Sequence, residues 1–148
     1  MSIICIMGCG RVGAALAEEY HRQGHEVYVI DMNQDAFSRL TSEQIRNRAL
    51  LGDGTDPSTL KRARIEEAQV FIAVTNGDNR NILAAQLAKK YKVPQVICRI
   101  YDPKRHEAYK TLGITSICPT NLGVAAIRDA LGAIPAEKED AVQGASTL

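Results

Sequence analysis

The chain has 148 residues, a length typical of a single globular domain. Its formal net charge is only +1, with 24% charged residues, so there is no electrostatic basis for binding nucleic acid or an anionic membrane surface. The sequence contains no apolar run near the about 20 residues that span a bilayer, and we therefore expect no direct membrane insertion.

Short apolar runs rich in β-branched residues alternate with helical patterns along the chain. The predicted strands span residues 3–7, 27–30, 48–51, 70–75, 96–100 and 114–118. The helices predicted after them span residues 11–23, 34–41, 57–62, 104–112 and 122–131, and a further one follows a cap at residue 78 or 79 and ends near residue 91. This alternation predicts an α/β Rossmann fold, a doubly wound six-stranded parallel sheet of order 3-2-1-4-5-6. A ligand crevice is expected where the strand order reverses, between strands 1 and 4.

The composition divides the chain into two parts. Residues 1–134 are predicted to form one nucleotide-binding Rossmann domain, and residues 135–148, which are small and polar, a flexible tail or linker stub.

Two helix starts carry capping signals. Asp56 before Pro57 is a predicted N-cap, and Asp78 or Asn79 is expected to cap the helix after strand 4.

The four cysteines do not form a metal or redox pattern. Cys5, Cys98 and Cys118 lie in apolar runs, and Cys9 lies between two glycines. With no C-x-x-C pair and no histidine at ligand spacing, we interpret them as structural thiols. Free thiols without a disulfide pattern favour a reducing compartment, which predicts a cytoplasmic location.

A glycine-rich motif connects the first strand to the first helix. It consists of Gly8, Cys9, Gly10, Arg11, Val12 and Gly13. In this strand-to-helix context Gly8 permits a tight turn, Gly10 lets the backbone approach a pyrophosphate, and Gly13 allows close packing of the helix. The helix N-terminus then offers free N–H groups to phosphate. The alternative is a glycine-rich turn without a ligand.

An acidic residue ends the second strand. Asp31 lies about 20 residues after Gly10, the spacing of an acid that accepts hydrogen bonds from ribose hydroxyls. Met32 beside it is assigned to the same site. A carboxylate at this position repels a 2′-phosphate, so NADP is disfavoured. The alternative role for Asp31 is that of a helix N-cap.

Two further loops end strands at the same edge of the sheet. Asp53 and Gly54 follow the third strand and are expected to flank the adenine; the alternative is a glycine-containing turn capped by Asp56. Thr75 and Asn76 follow the fourth strand, across the switch point, where they could reach phosphate or a second ribose.

Two arginines complete the predicted site. Arg11 begins the first helix, where its guanidinium could pair with a phosphate of its own or a neighbouring subunit's ligand. The alternative is a solvated arginine at a helix start. Arg99 lies in an apolar strand, where an unpaired charge is costly, so it is expected to face the cleft or pair with an acid.

Taken together, these residues resemble one family, the N-terminal nucleotide-binding domain of regulators of K+ conductance of the TrkA/KtrA type. The resemblance covers residues 2 to about 132. It is carried by the Gly-Arg-x-Gly loop, Asp31, residues 52–55 with Leu60 and Ala63, residues 73–75 with Asp78 and Asn81, residues 98–100 with Asp102 and Pro103, residues 112–113, and Pro119.

The resemblance implies a cytosolic regulatory subunit or domain without catalysis. Such domains bind NAD(H), ATP, ADP or AMP and use the ligand to gate a membrane K+ channel or transporter. They form homodimers, sometimes assembled into a ring of dimers. Carried over to this chain, Arg11 would contact phosphate, Asp31 the ribose, Asp53 and its neighbours the adenine side, and Thr75 and Asn76 the switch point.

Two departures from the family pattern are visible. Many members continue into a C-terminal ligand-binding domain, so this chain is either a one-domain member or a fragment ending in its linker. Some members also carry an acid after the proline of the last strand, which helps to bind a divalent cation. Here that residue is Thr120, and no metal site is predicted.

Two other functions compete with this interpretation. A nucleotide-sensing regulator of another transporter or antiporter would have the same sequence features. An NAD-dependent dehydrogenase would need a substrate pocket and an acid or base beside the nicotinamide, but all six strand–helix units are used by the cofactor fold. His21, His25 and His106 lie in polar contexts, and we predict no catalytic residue.

Overall fold

A six-stranded parallel sheet forms the centre of the computed structural model, which describes residues 1–136. Its strand order is β3-β2-β1-β4-β5-β6, which confirms the predicted topology. The strands are β1 (Ile3–Met7), β2 (Glu26–Asp31), β3 (Ala49–Leu51), β4 (Val70–Ala73), β5 (Gln95–Arg99) and β6 (Thr115–Ile117). A parallel sheet of this order places the carboxyl ends of all strands on one edge, where ligands bind in such folds.

Within the described residues five α-helices connect the strands, and a sixth follows the last strand. They are α1 (Arg11–Arg22), α2 (Glu43–Asn47), α3 (Pro57–Arg62), α4 (Asp78–Lys90), α5 (Pro103–Tyr109) and α6 (Pro119–Leu131). The Asp56 carboxylate accepts a hydrogen bond from the Ser58 N–H at 3.0 Å, which confirms Asp56 as the N-cap of α3.

The segment between β2 and β3 differs from the prediction of one helix over residues 34–41. It contains a 3₁₀ helix, Gln34–Arg39, followed by the separate helix α2. The Ser42 side chain accepts a hydrogen bond from the Ile45 N–H and starts α2, while Leu40 before it has an extended backbone. A second 3₁₀ helix, Ile65–Glu67, also lies outside the predicted elements.

Both faces of the sheet are covered, which explains why its central strands read as continuous apolar runs. One face buries Cys5, Met7, Ile30 and Phe71 among its core residues. The other buries Ile4, Ile6, Val27, Val29 and Ile72. Alternate residues of β1 therefore belong to opposite cores, as the period of a strand requires.

The strand register brings the site-bearing loops to one place. Met7, the last residue of β1, pairs with Ile30 of β2 and with Ala73 of β4. The residues that follow these strands therefore emerge side by side at the switch point. These are the glycine-rich loop, Asp31 and the segment that starts at Val74.

The last helix, α6, differs from the other long helices because none of its residues is buried in the part of the chain that the structure describes. Its exposed apolar side chains are Leu122, Val124, Ile127 and Leu131. Within residues 1–136 no helix is both long and apolar enough to cross a membrane. Of the predicted tail 135–148, residues 137–148 lie outside the described residues.

Candidate functional site

A cavity of about 340 Å³ opens at the carboxyl edge of the sheet, at the point where the strand order reverses. Its size falls within the range of small-molecule sites. The predicted site residues on its wall are Gly8, Cys9, Gly10, Asp31, Met32, Gly54, Thr75, Asn76 and Arg99. The structure therefore brings together nine residues that the sequence places on five separate loops and strand ends.

The glycine-rich loop has the backbone geometry that its sequence suggests. Gly8 has φ +109°, a conformation that favours glycine, and a Cβ there would lie 2.9 Å from the carbonyl carbon of Val74. A Cβ at Gly13 would collide with the Gly8 carbonyl oxygen, so only glycine lets α1 start this close to β1. At Gly10, by contrast, a Cβ would meet no described atom within 4 Å.

The start of α1 is open to an anionic ligand. Gly10 is its N-cap, and no side chain of the described residues caps the helix. The first N–H groups of a helix need partners from outside it, and they carry partial positive charge. Because Gly10 also lines the cavity, these donors lie where a phosphate could accept their hydrogen bonds.

Asp31 connects the glycine-rich loop to the end of β2. Its Oδ2 accepts a hydrogen bond from the Cys9 N–H at 2.7 Å, and its Oδ1 accepts one from the Asn33 N–H at 2.8 Å. The N-cap of the following 3₁₀ helix is Asn33, so the alternative role of Asp31 as a helix cap is wrong. Each carboxylate oxygen keeps further lone-pair capacity, which leaves Asp31 able to accept hydroxyl donors from the cavity.

Asp53 itself does not line the cavity, whereas its neighbours Gly52 and Gly54 do. Its Oδ1 accepts hydrogen bonds from the Thr55 N–H at 2.9 Å and the Thr55 hydroxyl at 2.7 Å. These bonds, and then the nearby Arg80 guanidinium, hold the pKa of Asp53 below its usual value. Asp53 therefore remains a carboxylate that anchors a turn and an arginine.

Arg80 also lines the cavity, although its sequence context does not indicate this. It projects from the first turn of α4, and its Nη2 donates to the Asp53 Oδ1 at 2.9 Å and contacts the Met32 sulfur. The ion pair therefore spans the crevice from the β4 side to the β3 side. No local pattern signals this, because a single arginine in a helix start usually faces solvent.

Arg99 faces the cavity, one of its two expected placements. Its Nη2 donates to the carbonyl oxygens of Val74 at 2.7 Å and Thr75 at 3.1 Å. The guanidinium carbon lies 4.8 Å from the centre of the Tyr101 ring, a cation–π distance. Its Nε is buried and has no hydrogen-bond partner among residues 1–136.

Asn81 supports the β4 side of the site. It is fully buried; its Oδ1 accepts from the Thr75 N–H at 3.0 Å and from the Thr75 hydroxyl at 2.6 Å. Its Nδ2 donates to the carbonyl oxygens of Thr75 at 2.9 Å and Arg99 at 2.8 Å. One side chain thus joins the end of β4 to the end of β5.

We expect Asn81→Ala to lower the free energy of unfolding by about 3 kcal/mol, because it leaves several buried backbone groups of Thr75 and Arg99 without partners. Urea unfolding followed by circular dichroism measures the loss. Asn79→Ala, on the exposed side of the same helix start, is the control and should change stability by less than about 0.5 kcal/mol. Equal small losses for both variants would contradict the structural role of Asn81.

The expectation that Asp78 or Asn79 caps α4 is wrong, because the N-cap is Gly77. The Asp78 carboxylate instead accepts hydrogen bonds from the N–H groups of Tyr101 at 2.7 Å and Asp102 at 3.0 Å. Asp78 therefore fixes the loop after β5 against the start of α4.

The remaining residues of the glycine-rich motif lie outside the cavity wall. Arg11 lines a neighbouring open depression together with Glu18 and Arg39. Val12 is 45% exposed and Gly13 is buried beneath the loop. Arg39, which was not predicted as a site residue, lines both the cavity and this depression.

The four cysteines are buried and unpaired with one another. Burial raises the pKa of the Cys9 thiol, which lies beside Asp31, and that of the Cys98 thiol, each to about 11. Burial also raises the pKa of the Cys5 thiol to about 12. These thiols are therefore protonated at neutral pH and have little nucleophilic character, which supports their interpretation as core residues.

Comparison with known proteins gives one family match and several relatives. The model of a family described as TrkA-N domain matches residues 4–119. The Trk system potassium uptake protein TrkA of Streptomyces coelicolor is 50% identical over 115 residues, which are 77% of this chain and 51% of that protein. The chain spans about half the length of the curated relatives it matches.

Solved structures with low sequence identity share the fold. GsuK bound to ADP has a TM-score of 0.73 at 23% identity, covering 88% of this chain and 34% of that chain. A Kef CTD from Shewanella denitrificans in AMP-bound form has a TM-score of 0.66 at 22% identity, covering 97% of this chain and 91% of that chain.

Proposed function

Because the chain belongs to the TrkA-N domain family, we propose that it is a regulatory domain that binds an adenine nucleotide and gates a K+ channel or transporter. The ligand is NAD(H) or ATP, ADP or AMP. One observation carries the proposal. The uncapped N-terminus of α1 and the Asp31 carboxylate face one cavity, with donors for phosphate beside acceptors for ribose hydroxyls.

The individual ligand contacts follow from this arrangement. Phosphate would bind at Gly8, Cys9 and Gly10, and the ribose at Asp31 and Met32. The loop containing Asp53 and Gly54 would lie on the adenine side, and Thr75, Asn76 and Arg99 would face the ligand from across the switch point. The Asp31 carboxylate would repel a 2′-phosphate, so NADP would bind more weakly than NAD.

The domain acts by binding rather than by catalysis. The curated relatives are named for potassium uptake and not for a reaction, in agreement with the prediction that the chain is not an enzyme. Gating would arise if the nucleotides bind two assembly states with different affinities. A ligand that binds both states equally does not change the equilibrium between them.

We place the domain on the cytoplasmic side of the membrane, held there by its channel or transporter partner. The relatives' names support a K+ transport partner. The domain would act as a homodimer that can assemble into a ring of dimers, with residues 1–134 as the nucleotide-binding unit and residues 135–148 as its tail or linker.

Calorimetric titration with ATP, ADP, AMP, NAD+ and NADH tests nucleotide binding. The proposal requires at least one of them to bind wild-type protein and to bind Gly10→Ala at least about tenfold more weakly. The gating function is tested by growth on limiting K+ of cells lacking this gene, complemented with wild type or Gly10→Ala. Restoration by wild type alone supports it, and equal growth of both strains contradicts it.

The same growth assay separates the alternative, a regulator of another transporter or antiporter. In that case growth of the strain lacking the gene would depend on the concentration of a different ion. The growth difference between strains carrying wild type and Gly10→Ala would then be the same at every external K+ concentration. A K+-dependent difference favours the first function.

We expect Arg11→Ala to weaken ATP binding by about tenfold and AMP binding by less than about twofold. Arg11 lies at the start of α1, outside the cavity wall. In the proposed binding mode it would contact the additional phosphates of ATP and not the phosphate shared with AMP. Calorimetry of both nucleotides measures the difference, with Arg22→Ala at the far end of α1 as the control. Equal losses for ATP and AMP would remove this role from Arg11.

A further inference from the structure

The two halves of the crevice are unequal. In a doubly wound fold a dinucleotide extends across the switch point, with one nucleoside over each half of the sheet. On the β1–β3 side the cavity extends from Gly8 past Asp31 and Asn33 to Gly54. On the other side its wall ends at Arg99, and no residue after Arg99 lines the cavity within the part of the chain described.

Arg99 lies at the end of the cavity wall on the β4–β5 side, the side on which the second nucleoside of a dinucleotide binds in a doubly wound fold. Its guanidinium bonds the carbonyl oxygens of Val74 and Thr75, which end the β4 side of the switch point. The guanidinium carbon also lies 4.8 Å from the centre of the Tyr101 ring. For a second nucleoside to bind there, the Arg99 side chain would have to move. It would then lose the two hydrogen bonds that its guanidinium donates and its cation–π contact.

The backbone around Arg99 is also held in place. Asn81 bonds the Arg99 carbonyl oxygen and both backbone groups of Thr75. Asp78 bonds the N–H groups of Tyr101 and Asp102 directly after it. The β4–β5 end of the crevice is therefore closed by connected hydrogen bonds, whereas the start of α1 is free.

The charges on the wall also favour a nucleotide with a terminal phosphate. Arg39, Arg80 and Arg99 line the cavity from three directions, and Asp31 is the one carboxylate on its described wall. A terminal phosphate carries a charge of about −1.5 to −2 at neutral pH, as a phosphate monoester does. The two phosphates of NAD are both bridging and carry less charge each.

From these observations we propose that the site accepts an adenine mononucleotide with a free 5′-phosphate or polyphosphate and excludes a dinucleotide. Arg99 is the residue that makes the distinction. The inference rests on the proposed function, because it assumes that an adenine nucleotide binds at this cavity. It reduces the candidate ligands to ATP, ADP and AMP and removes NAD(H).

The test is calorimetric titration of the full chain with AMP, ADP and NAD+, in wild type, Arg99→Ala, Arg99→Lys and the control Arg105→Ala. Wild type should bind AMP or ADP at least about tenfold more tightly than NAD+. Arg99→Ala should reduce that ratio by about tenfold, partly by improving the affinity for NAD+. Arg105 lies on α5 outside the cavity wall, and its variant should keep the wild-type ratio.

Arg99→Lys is a milder substitution, which distinguishes a loss of the arginine contacts from a folding defect of Arg99→Ala. Lysine keeps the charge but cannot reach two carbonyl oxygens with the planar fork of arginine, so its ratio should lie between those of wild type and Arg99→Ala. Circular dichroism establishes that each variant is folded before titration.

The outcomes separate the inference from the proposed function. Equal affinities of wild type for ADP and NAD+, or a ratio unchanged in both Arg99 variants, would overturn the inference while nucleotide binding itself stands. Absence of binding by every nucleotide would overturn the proposed function and the inference with it.

Discussion

Gly13→Ala should lower the free energy of unfolding by about 3 kcal/mol, although it adds a single methyl group. The new Cβ would collide with the Gly8 carbonyl oxygen and lie 3.5 Å from the Val74 side chain. Gly8 cannot move away easily, because its own N–H donates to the Ile30 carbonyl oxygen at 2.8 Å and its φ is +109°. The start of α1 would have to separate from β1, and urea unfolding midpoints measure the cost.

Gly10→Ala is the matched control, with the same chemical change three residues earlier. No described atom lies within 4 Å of a Cβ at Gly10, so the free energy of unfolding should change by less than about 1 kcal/mol. Nucleotide binding should nevertheless fall by about tenfold or more, because the methyl group enters the space that a phosphate would occupy. If the two variants unfolded at the same urea concentration, the tight packing assigned to Gly13 would be wrong.

Asp31→Ala should weaken adenine nucleotide binding by more than about tenfold while the protein stays folded. The carboxylate would accept the ribose hydroxyls and also holds the Cys9 N–H at 2.7 Å, so its removal loosens the phosphate loop as well. Two lost backbone hydrogen bonds should cost about 1 to 3 kcal/mol of stability, within the margin of a typical domain. Calorimetry measures the binding constant, and thermal unfolding measures the stability.

Asp31→Asn separates the two contributions. An asparagine oxygen can still accept one backbone N–H, but the amide group offers one acceptor atom where the carboxylate offers two. Its binding loss should therefore be smaller than that of Asp31→Ala, and Asp35→Ala in the following 3₁₀ helix should have no effect. Wild-type affinity in Asp31→Ala would remove the ribose contact from the proposed site.

The strand order was predictable because it depends on a repeated pattern. Six apolar runs alternating with helices allow few arrangements when crossovers are right-handed, and the glycine-rich motif identifies the first strand. The split of residues 34–41 into a 3₁₀ helix and α2 was not predictable in the same way. It depends on Ser42, whose capping bond to Ile45 competes with a continuous helix.

Predictions of specific hydrogen-bond partners succeeded where the partner is local in the sequence. Asp56 caps α3 through Ser58, two residues away, and its role was visible in the sequence. Asp78 bonds Tyr101 and Asp102, and Arg80 bonds Asp53, in each case more than 20 residues away. A single sequence carries no signal for such pairs, because the chain brings them together only after the sheet has formed.

Both outer strands of the sheet are very short. β3 and β6 have three residues each, so few unpaired backbone groups are available on which another chain could add a strand. Short edges of this kind protect a domain from edge-to-edge aggregation, and this protection suits the assembly of several copies that we propose. The surfaces left for orderly contact between copies are then the helices, of which α6 presents the most apolar residues.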